Sequence, residues 1–345
     1  MRSDRFKKPP TLTRFARQLD ACGLAPAGAV DLAVFAAPGD TSCYTLKALL
    51  RRSQEVTQDK WHSLFADILA ELGDSPLVSA LMRRAMRKGW ALGVAGRDEA
   101  LSDYFSTLDH DHKIIWLDHG GFTPQAIDRT PHCREALSGS FIRALRDIGH
   151  DMRLGAYEQA LDPRAVVMME RARAADIEAV CVMAAWELRG AGYPGLWRHQ
   201  LGSEDGDIAL TFGCALEKSP AGLYDGKALA AAFLRWYDDP MRLNACDHAT
   251  LEMLDELMAE HDGEHWGKLA FTPEDARDLS ILPDGMAYLK DEAQTVAAEP
   301  AYHAIPDAIN EAHLAQIAHD AAAVRVAGVP FRSAALARLI FPTVG

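Results

Sequence analysis

The residues best suited to metal chemistry are His150 and Asp151, in the segment IGHDMRLGAYE at positions 148–158. In a zinc-binding helix with the pattern H-E-x-x-H, two histidines four residues apart bind one ion, and the glutamate between them activates the catalytic water. Here the acid is the shorter aspartate, and Leu154 stands at the position of the second histidine. The segment therefore keeps one of the two histidine donors and a shortened catalytic acid.

The spacing of apolar residues predicts that this segment belongs to an amphipathic helix. One side carries residues separated by three or four positions, namely Leu137, Phe141, Leu145, Ile148 and Met152. At about 100° per residue, the roughly opposite side carries Asp147, His150, Asp151, Leu154 and Glu158. Such a side could hold a metal site, but it is more often a polar face in contact with solvent. From this segment alone we expect the solvated face.

The composition restricts the class of protein. The chain has 345 residues, of which 49% are hydrophobic, and a net charge of −13, which argues against nucleic acid or an anionic membrane surface as the main partner. No apolar run approaches the about 18–20 residues of a transmembrane helix, and none follows the basic first residues as in a signal peptide. The six cysteines occur singly, as expected of buried free thiols in a reducing cytosol. We therefore expect a globular cytoplasmic protein.

Hydrophobic periodicity and capping residues predict an α+β fold that is predominantly α. Strands are expected at 29–37, 90–96 and 112–118. Helices are expected at 57–73, 75–89, 162–190, 204–218, 226–238 (ending before Pro240), 247–261 and 272–280, followed from about 305 by two alanine-rich helices joined through AGVPF. We expect a small α/β region at 1–105, a main domain at 106–295 and a helical tail at 296–345.

Several sequence blocks occur in an order that resembles a family of uncharacterised bacterial proteins described as putative metallopeptidases. The blocks are HKIIWLDHGGFTP, GHDMRLGA, AADIEAVCVMAAWELRGAG, SEDGDIALTF, DGKALAAAFLRWYDDPMRL and TPEDARDLSILPDGMAYL, and together they span about residues 110–290. The second block resembles a family motif of the type A-H-E-x-R-H-A, and the third resembles an acidic motif of the type E-A-D-A-E-A. The resemblance implies a zincin-like helical core.

The departures from the family motifs concern the residues that would bind zinc. The resemblance places the first ligand at His150 and the catalytic acid at Asp151, but Leu154 and Ala174 occupy the positions of the second and third ligands. Beyond Ala174, Asp176 lies about 200° around the helix and Glu178 about 40°, so Glu178 is the better placed substitute. Since a catalytic zinc needs three protein ligands, His150 with Glu178 is at most a remnant of a metal site and Asp151 a remnant of the catalytic acid.

The sequence thus predicts a degenerate, non-catalytic protein that has no cofactor and acts by binding an unknown protein or peptide, or within a complex. The alternative is an active metal-dependent hydrolase that uses zinc. It would use His150 with Glu178, or His261 and His265 in an inverted H-x-x-E-H motif with Glu292 or Glu299 as a further acid. No phosphate-binding glycine loop and no serine-nucleophile motif is present.

Other residues have simpler interpretations. The histidines at 110, 112, 119 and 132 lack metal-site spacing and are expected at the surface. The aromatic residues Trp186, Trp197, Trp236 and Tyr237 are expected to anchor helix packing, although a peptide-binding groove would also use such residues.

The resemblance makes a geometric prediction. Because the two family motifs should lie on paired helices, His150, Asp151 and Glu178 should lie within about a side chain's reach of one another. A structure that placed residues 150 and 178 on opposite sides of a domain would contradict the resemblance itself.

Overall fold

The computed structural model describes residues 42–50, 59–95, 106–155, 157–158, 160–260, 267–322, 324–326 and 329–331. The strand predicted at 29–37, Cys22 and the H-x-x-E-H motif at 261–265 lie outside these residues. The described chain is α+β and predominantly α, as predicted. It divides into two compact units. The first contains residues up to 149 together with 180–206, and the second contains 150–179 and the chain from 207 onward.

The elements of the first half of the chain begin with a small sheet and end with two long helices. In chain order they are β1 (Ser42–Thr45), α1 (Leu46–Leu50), α2 (Lys60–Leu72), α3 (Pro76–Arg87), β2 (Ala91–Ala95), β3 (Ser106–Asp109), β4 (Ile114–Asp118), α4 (Pro124–Arg129), α5 (Pro131–Leu154) and α6 (Pro163–Gly190). Helix α6 begins and ends where the proline at its first position and the glycines at 190 and 192 predict.

The remaining elements are mostly short helices. They are α7 (Gly195–Leu201), α8 (Gly206–Lys218), α9 (Gly222–Asp225), α10 (Lys227–Trp236), α11 (Pro240–Glu260), α12 (Pro273–Leu279), α13 (Ala293–Ala298), α14 (Pro300–His303), α15 (Ala308–Ala321), β5 (Val324–Val326) and β6 (Val329–Phe331). No helix in the described part of the chain is both long and apolar enough to cross a membrane.

The four-stranded sheet of the first unit has the order β1-β2-β4-β3. Strands β2 and β4, both predicted, pair in parallel at its centre, and their buried apolar side chains are those of Leu92, Val94, Ile115 and Leu117. The edge strands β1 and β3 pair antiparallel with them and were not predicted, because the sequences SCYT and STLD lack an apolar run. The sheet contains strands from both sides of the boundary expected at residue 105.

Capping residues explain the ends of the predicted helices of the first unit. Asp59 accepts hydrogen bonds from the backbone N–H groups of Trp61 and His62 at the start of α2. At the start of α3, the buried Ser75 accepts from the N–H of Val78 and donates to Glu187 Oε2 at 2.5 Å. A glutamate distant in sequence thus shares in capping α3.

Two expectations for the second unit are wrong. Helix α10 ends before Pro240, as expected, but the next helix was expected only from 247, whereas Pro240 is itself the first residue of α11, because proline at that position has no N–H to leave unpaired and its φ suits a helix start. Helix α11 therefore begins seven residues before the predicted position of 247. The AGVPF segment was expected to join two helices, but its last residues form β6, which pairs antiparallel with β5.

A buried ion pair joins three helices of the second unit. The Arg171 side chain on α6 is fully buried and binds Asp247 of α11 through two hydrogen bonds of 2.6 and 2.7 Å. Its remaining nitrogen Nη1 donates to the carbonyl oxygens of Tyr302 and Ala304, at the end of α14. Every part of the guanidinium thus has a partner, as a buried charge requires.

We expect Arg171→Met to lower the free energy of unfolding by about 3–5 kcal/mol, because the Asp247 carboxylate would remain buried without its cation. The matched control is Arg164→Met, two helical turns earlier on α6, where the pair with Glu311 is half-exposed. That change should cost about 0–1 kcal/mol. Urea unfolding followed by circular dichroism measures both, and equal losses in the two variants would contradict this assignment.

Candidate functional site

The end of helix α5 contacts the middle of helix α6 through His150. The His150 Nε2 donates to Asp176 Oδ2 at 2.8 Å, and the two side chains are 1% and 0% exposed. The apolar residues from Leu137 to Ile148 are buried as expected, but Met152 is 44% exposed. Because His150 is 1% exposed, the expectation that it lies on a solvated face is wrong. Helix α5 has a second buried side at its C-terminal end, where a polar residue is tolerated because it has a hydrogen-bond partner.

The two motifs lie on paired helices, as predicted, although the acid of α6 that contacts His150 is Asp176. Glu178, two residues further along, lies about 200° around the helix axis from Asp176 and is half-buried. Reasoning from the position of Ala174 favoured Glu178, because the lateral position of α6 against α5 is not readable from one sequence. The roles of His150 and Glu178 as metal ligands and of Asp151 as catalytic remnant stay predictions.

Tyr288 completes the buried site and was not identified from the sequence. Its hydroxyl donates to Asp176 Oδ1 at 2.6 Å, and the residue is 2% exposed. The two carboxylate oxygens of Asp176 thus accept from His150 on one side and Tyr288 on the other. The available signal was the position of Tyr288 in the last resembling block, PDGMAYL, but a tyrosine in an apolar context is ordinarily read as a packing residue.

Asp151, next to His150, belongs to a second polar network. Arg173 Nη2 on α6 donates to Asp151 Oδ1 at 2.8 Å, and Nη1 donates to the Tyr157 hydroxyl at 2.8 Å. The Tyr157 hydroxyl donates in turn to Glu170. Burial, and then the negative charge of Glu170, raise the pKa of Tyr157 above its ordinary value. The hydroxyl therefore keeps its proton and acts as a donor within this network.

These residues do not fit a catalytic zinc ion. The hydrocarbon side chains of Leu154 and Ala174 offer no donor at two of the three expected positions, and His150 and Asp176 are hydrogen-bonded to each other. Within the described ranges, no group of three or more His, Cys, Asp or Glu side chains is arranged to hold a metal ion. What the site can do is hold α5, α6 and the residues around Tyr288 together.

The comparisons with known proteins concern the same region. Residues 142–289 match the profile of a family described as a putative metallopeptidase family (DUF6782). The match begins well after the start of the predicted range of 110–290, and it includes His150, Asp176 and Tyr288. Neither the comparison with curated proteins nor the comparison with solved structures found a match.

The other candidate histidines and cysteines occupy mixed environments. His112 is exposed and bound to Asp109, but His119 was wrongly expected at the surface, since it is buried beside Trp61 and accepts from the N–H of Gly121. The His132 ring lies 4.7 Å from that of His199 in the first unit. Three cysteines are buried as expected, whereas Cys43 and Cys214 are exposed.

The aromatic residues expected as packing anchors contact one another within their units. Trp197 and Trp236 are buried. In the first unit the Trp186 ring meets that of Trp197 edge-on at 5.0 Å, and the Arg189 guanidinium lies 4.5 Å from the Trp186 ring centre. These contacts account for the aromatic residues through packing and cation–π interaction.

The Glu135 carboxyl, in the first unit, is strongly affected by its surroundings. Burial, and then the negative charge of Glu71, raise the pKa of Glu135 to about 7, against the opposing effect of Arg134. The carboxyl lies so close to Gly195 that a Cβ added there would be 2.0 Å from Glu135 Oε1. Because the folded protein binds this proton more tightly than the unfolded chain, the contribution of Glu135 to stability falls as pH rises from about 4.5 through 7.

We therefore expect Glu135→Gln to flatten the decline of stability between pH 5 and 8 and to give a higher melting temperature than the unmodified protein at pH 8. The matched control is Glu217→Gln, at an exposed position of α8. Thermal unfolding across this pH range tests the prediction, which fails if the two variants have parallel pH profiles.

Proposed function

We propose that residues 142–289 form a metallopeptidase-like domain, of zincin-like ancestry, that no longer hydrolyses peptides and acts by binding a protein or peptide. The observation that supports this most strongly is that the residues at the first-ligand and catalytic-acid positions are both engaged by the protein's own side chains. His150 is bonded to Asp176 and Asp151 to Arg173, each at 2.8 Å. In a hydrolase the first would bind the ion, and the second would receive a proton from water.

Free-energy considerations favour loss of activity. One imidazole cannot hold zinc in a site that needs three protein donors. The Asp151 carboxylate is one methylene shorter than a glutamate, and its charge is already stabilised by the Arg173 guanidinium. The first change removes the ion and the second weakens the base.

One observation favours the alternative, an active metal-dependent hydrolase. Proteins often orient a metal-binding histidine by a hydrogen bond from its other ring nitrogen to a carboxylate, and Asp176 could serve His150 in this way. In that case Glu178 would be the second ligand. We rank this function second, because two protein donors fall short of the three that catalytic zinc sites use.

The charge and the cysteines of the chain bear on its partner and its location in the cell. The net charge of −13 supports a protein or peptide partner over nucleic acid or a membrane surface, and the scattered single cysteines support a cytoplasmic location. No cofactor is part of the proposed function.

The proposal predicts that the unmodified protein does not cleave peptides, with or without added zinc, and that the chelator EDTA changes nothing. The test is hydrolysis of a mixed peptide library followed by mass spectrometry, with His150→Ala as the matched variant. Zinc-dependent cleavage that is lost in His150→Ala would establish the hydrolase instead.

Restoring the missing metal ligands tests whether α5 descends from a zinc-binding helix. We expect the triple variant Asp151→Glu, Leu154→His and Ala174→Glu to gain thermal stability as zinc is added, because a ligand that binds the folded state stabilises it. Leu154 lies one helical turn beyond His150, so its Cβ points to the same side of α5. A matched Leu154→Gln variant should not respond. A triple variant that folds normally yet shows no zinc-dependent shift would mean that this helix never faced a metal pocket.

A further inference from the structure

Three residues from distant parts of the chain meet in one buried hydrogen-bond chain of the second unit. His150 lies in the last turns of α5, Asp176 lies in the middle of α6, and Tyr288 comes 112 residues after Asp176. All three are at most 2% exposed. In small metal-binding domains, a metal ion joins segments that are distant in sequence in the same way.

We propose that the hydrogen-bond chain His150–Asp176–Tyr288 is a metal-independent structural crosslink that has taken over the joining role of the ion in this domain. The inference rests on the proposed loss of the metal site. According to this inference, Tyr288 and Asp176 together make an ion unnecessary for the fold of the second unit.

The backbone around Tyr288 is built to hold its hydroxyl in place. Residues 281–287 form a tight turn, in which the N–H of Leu282 donates to the carbonyl of Met286 at 2.8 Å and Ile281 bridges to Ala287. The N–H of Leu289 donates to the Ser280 hydroxyl at 3.3 Å. These bonds fix the residues on both sides of Tyr288, so the backbone that carries the hydroxyl to Asp176 is ordered by contacts of its own.

Gly226, at the start of α10, makes room for this tyrosine. Its φ is +83°, in the left-handed region, and a Cβ added to Gly226 would lie 2.7 Å from the Cβ of Tyr288. A glycine is thus required here both by conformation and by the close approach of Tyr288. The ring of Phe233, further along α10, meets the Tyr288 ring edge-on at 6.3 Å.

The fully buried Asp176 determines what the crosslink contributes. A carboxylate away from water is tolerated only when its oxygens accept hydrogen bonds, and here the imidazole and the phenol supply one to each oxygen. Removing either donor takes a hydrogen bond away from a buried carboxylate, which costs more than the loss of an exposed hydrogen bond. The three segments are therefore coupled through one carboxylate.

The test is the thermal stability of Tyr288→Phe, which removes one hydroxyl and keeps the ring. We expect its melting temperature to fall by about 3–8 °C, and by the same amount in EDTA and in excess zinc. The matched control is Tyr224→Phe, whose residue is 83% exposed and which should melt like the unmodified protein. The Asp176→Asn variant keeps the shape of the side chain and one acceptor oxygen. Its melting temperature should lie between those of the unmodified protein and Asp176→Leu.

If Tyr288→Phe and Tyr224→Phe have the same melting temperature, the proposed crosslink is wrong. Zinc that stabilises the unmodified protein but not His150→Ala would overturn its independence of metal. If Tyr288→Phe does not fold at all while Tyr224→Phe does, the requirement for the hydroxyl is established in the strongest form. Peptide cleavage without added metal would contradict the proposed function but would not change these melting temperatures. Failure of the proposed function and failure of the crosslink are therefore distinguishable.

Discussion

A carboxylate with no exposure to water, Asp176, sets the strongest constraint on the second unit. Burying a charged group costs several kcal/mol unless hydrogen bonds replace the lost water, so the fold must bring a donor to each oxygen. His150 provides one and Tyr288 the other. Meeting this requirement fixes the end of α5 against α6, and both against the turn at 281–287.

The same stretch of α6 carries two further polar interactions. Arg171 binds Asp247 and the carbonyl groups at the end of α14, and Arg173 binds Asp151 and Tyr157. Three charged residues within six positions of one helix thus contact different neighbours. Hydrophobic burial supplies most of the stability of such a domain, whereas polar groups that must be satisfied select one arrangement among the many that bury similar area. We regard α6 as the element that specifies the second unit.

The sequence predicts those features of the fold that local chemistry determines. The ends of α3 and α6 follow from Ser75, Pro76 and Pro163, and the parallel strands at the centre of the sheet follow from their apolar runs. It does not predict those that neighbouring elements determine. The burial of His150 depends on α6, and the edge strands depend on β2 and β4 for pairing. Tyr288 depends on a partner 112 positions away. The choice between Asp176 and Glu178 needed the lateral position of α6 against α5, which one sequence does not contain.

The most direct test of the central claim is the zinc content of the protein. Protein purified without chelators, equilibrated with excess zinc and desalted should contain far less than one zinc per chain by elemental analysis. His150→Ala should give the same value, because His150 without a second and third donor does not hold zinc. A content near one zinc per chain that disappears in His150→Ala would contradict the account, since it would make His150 a metal ligand.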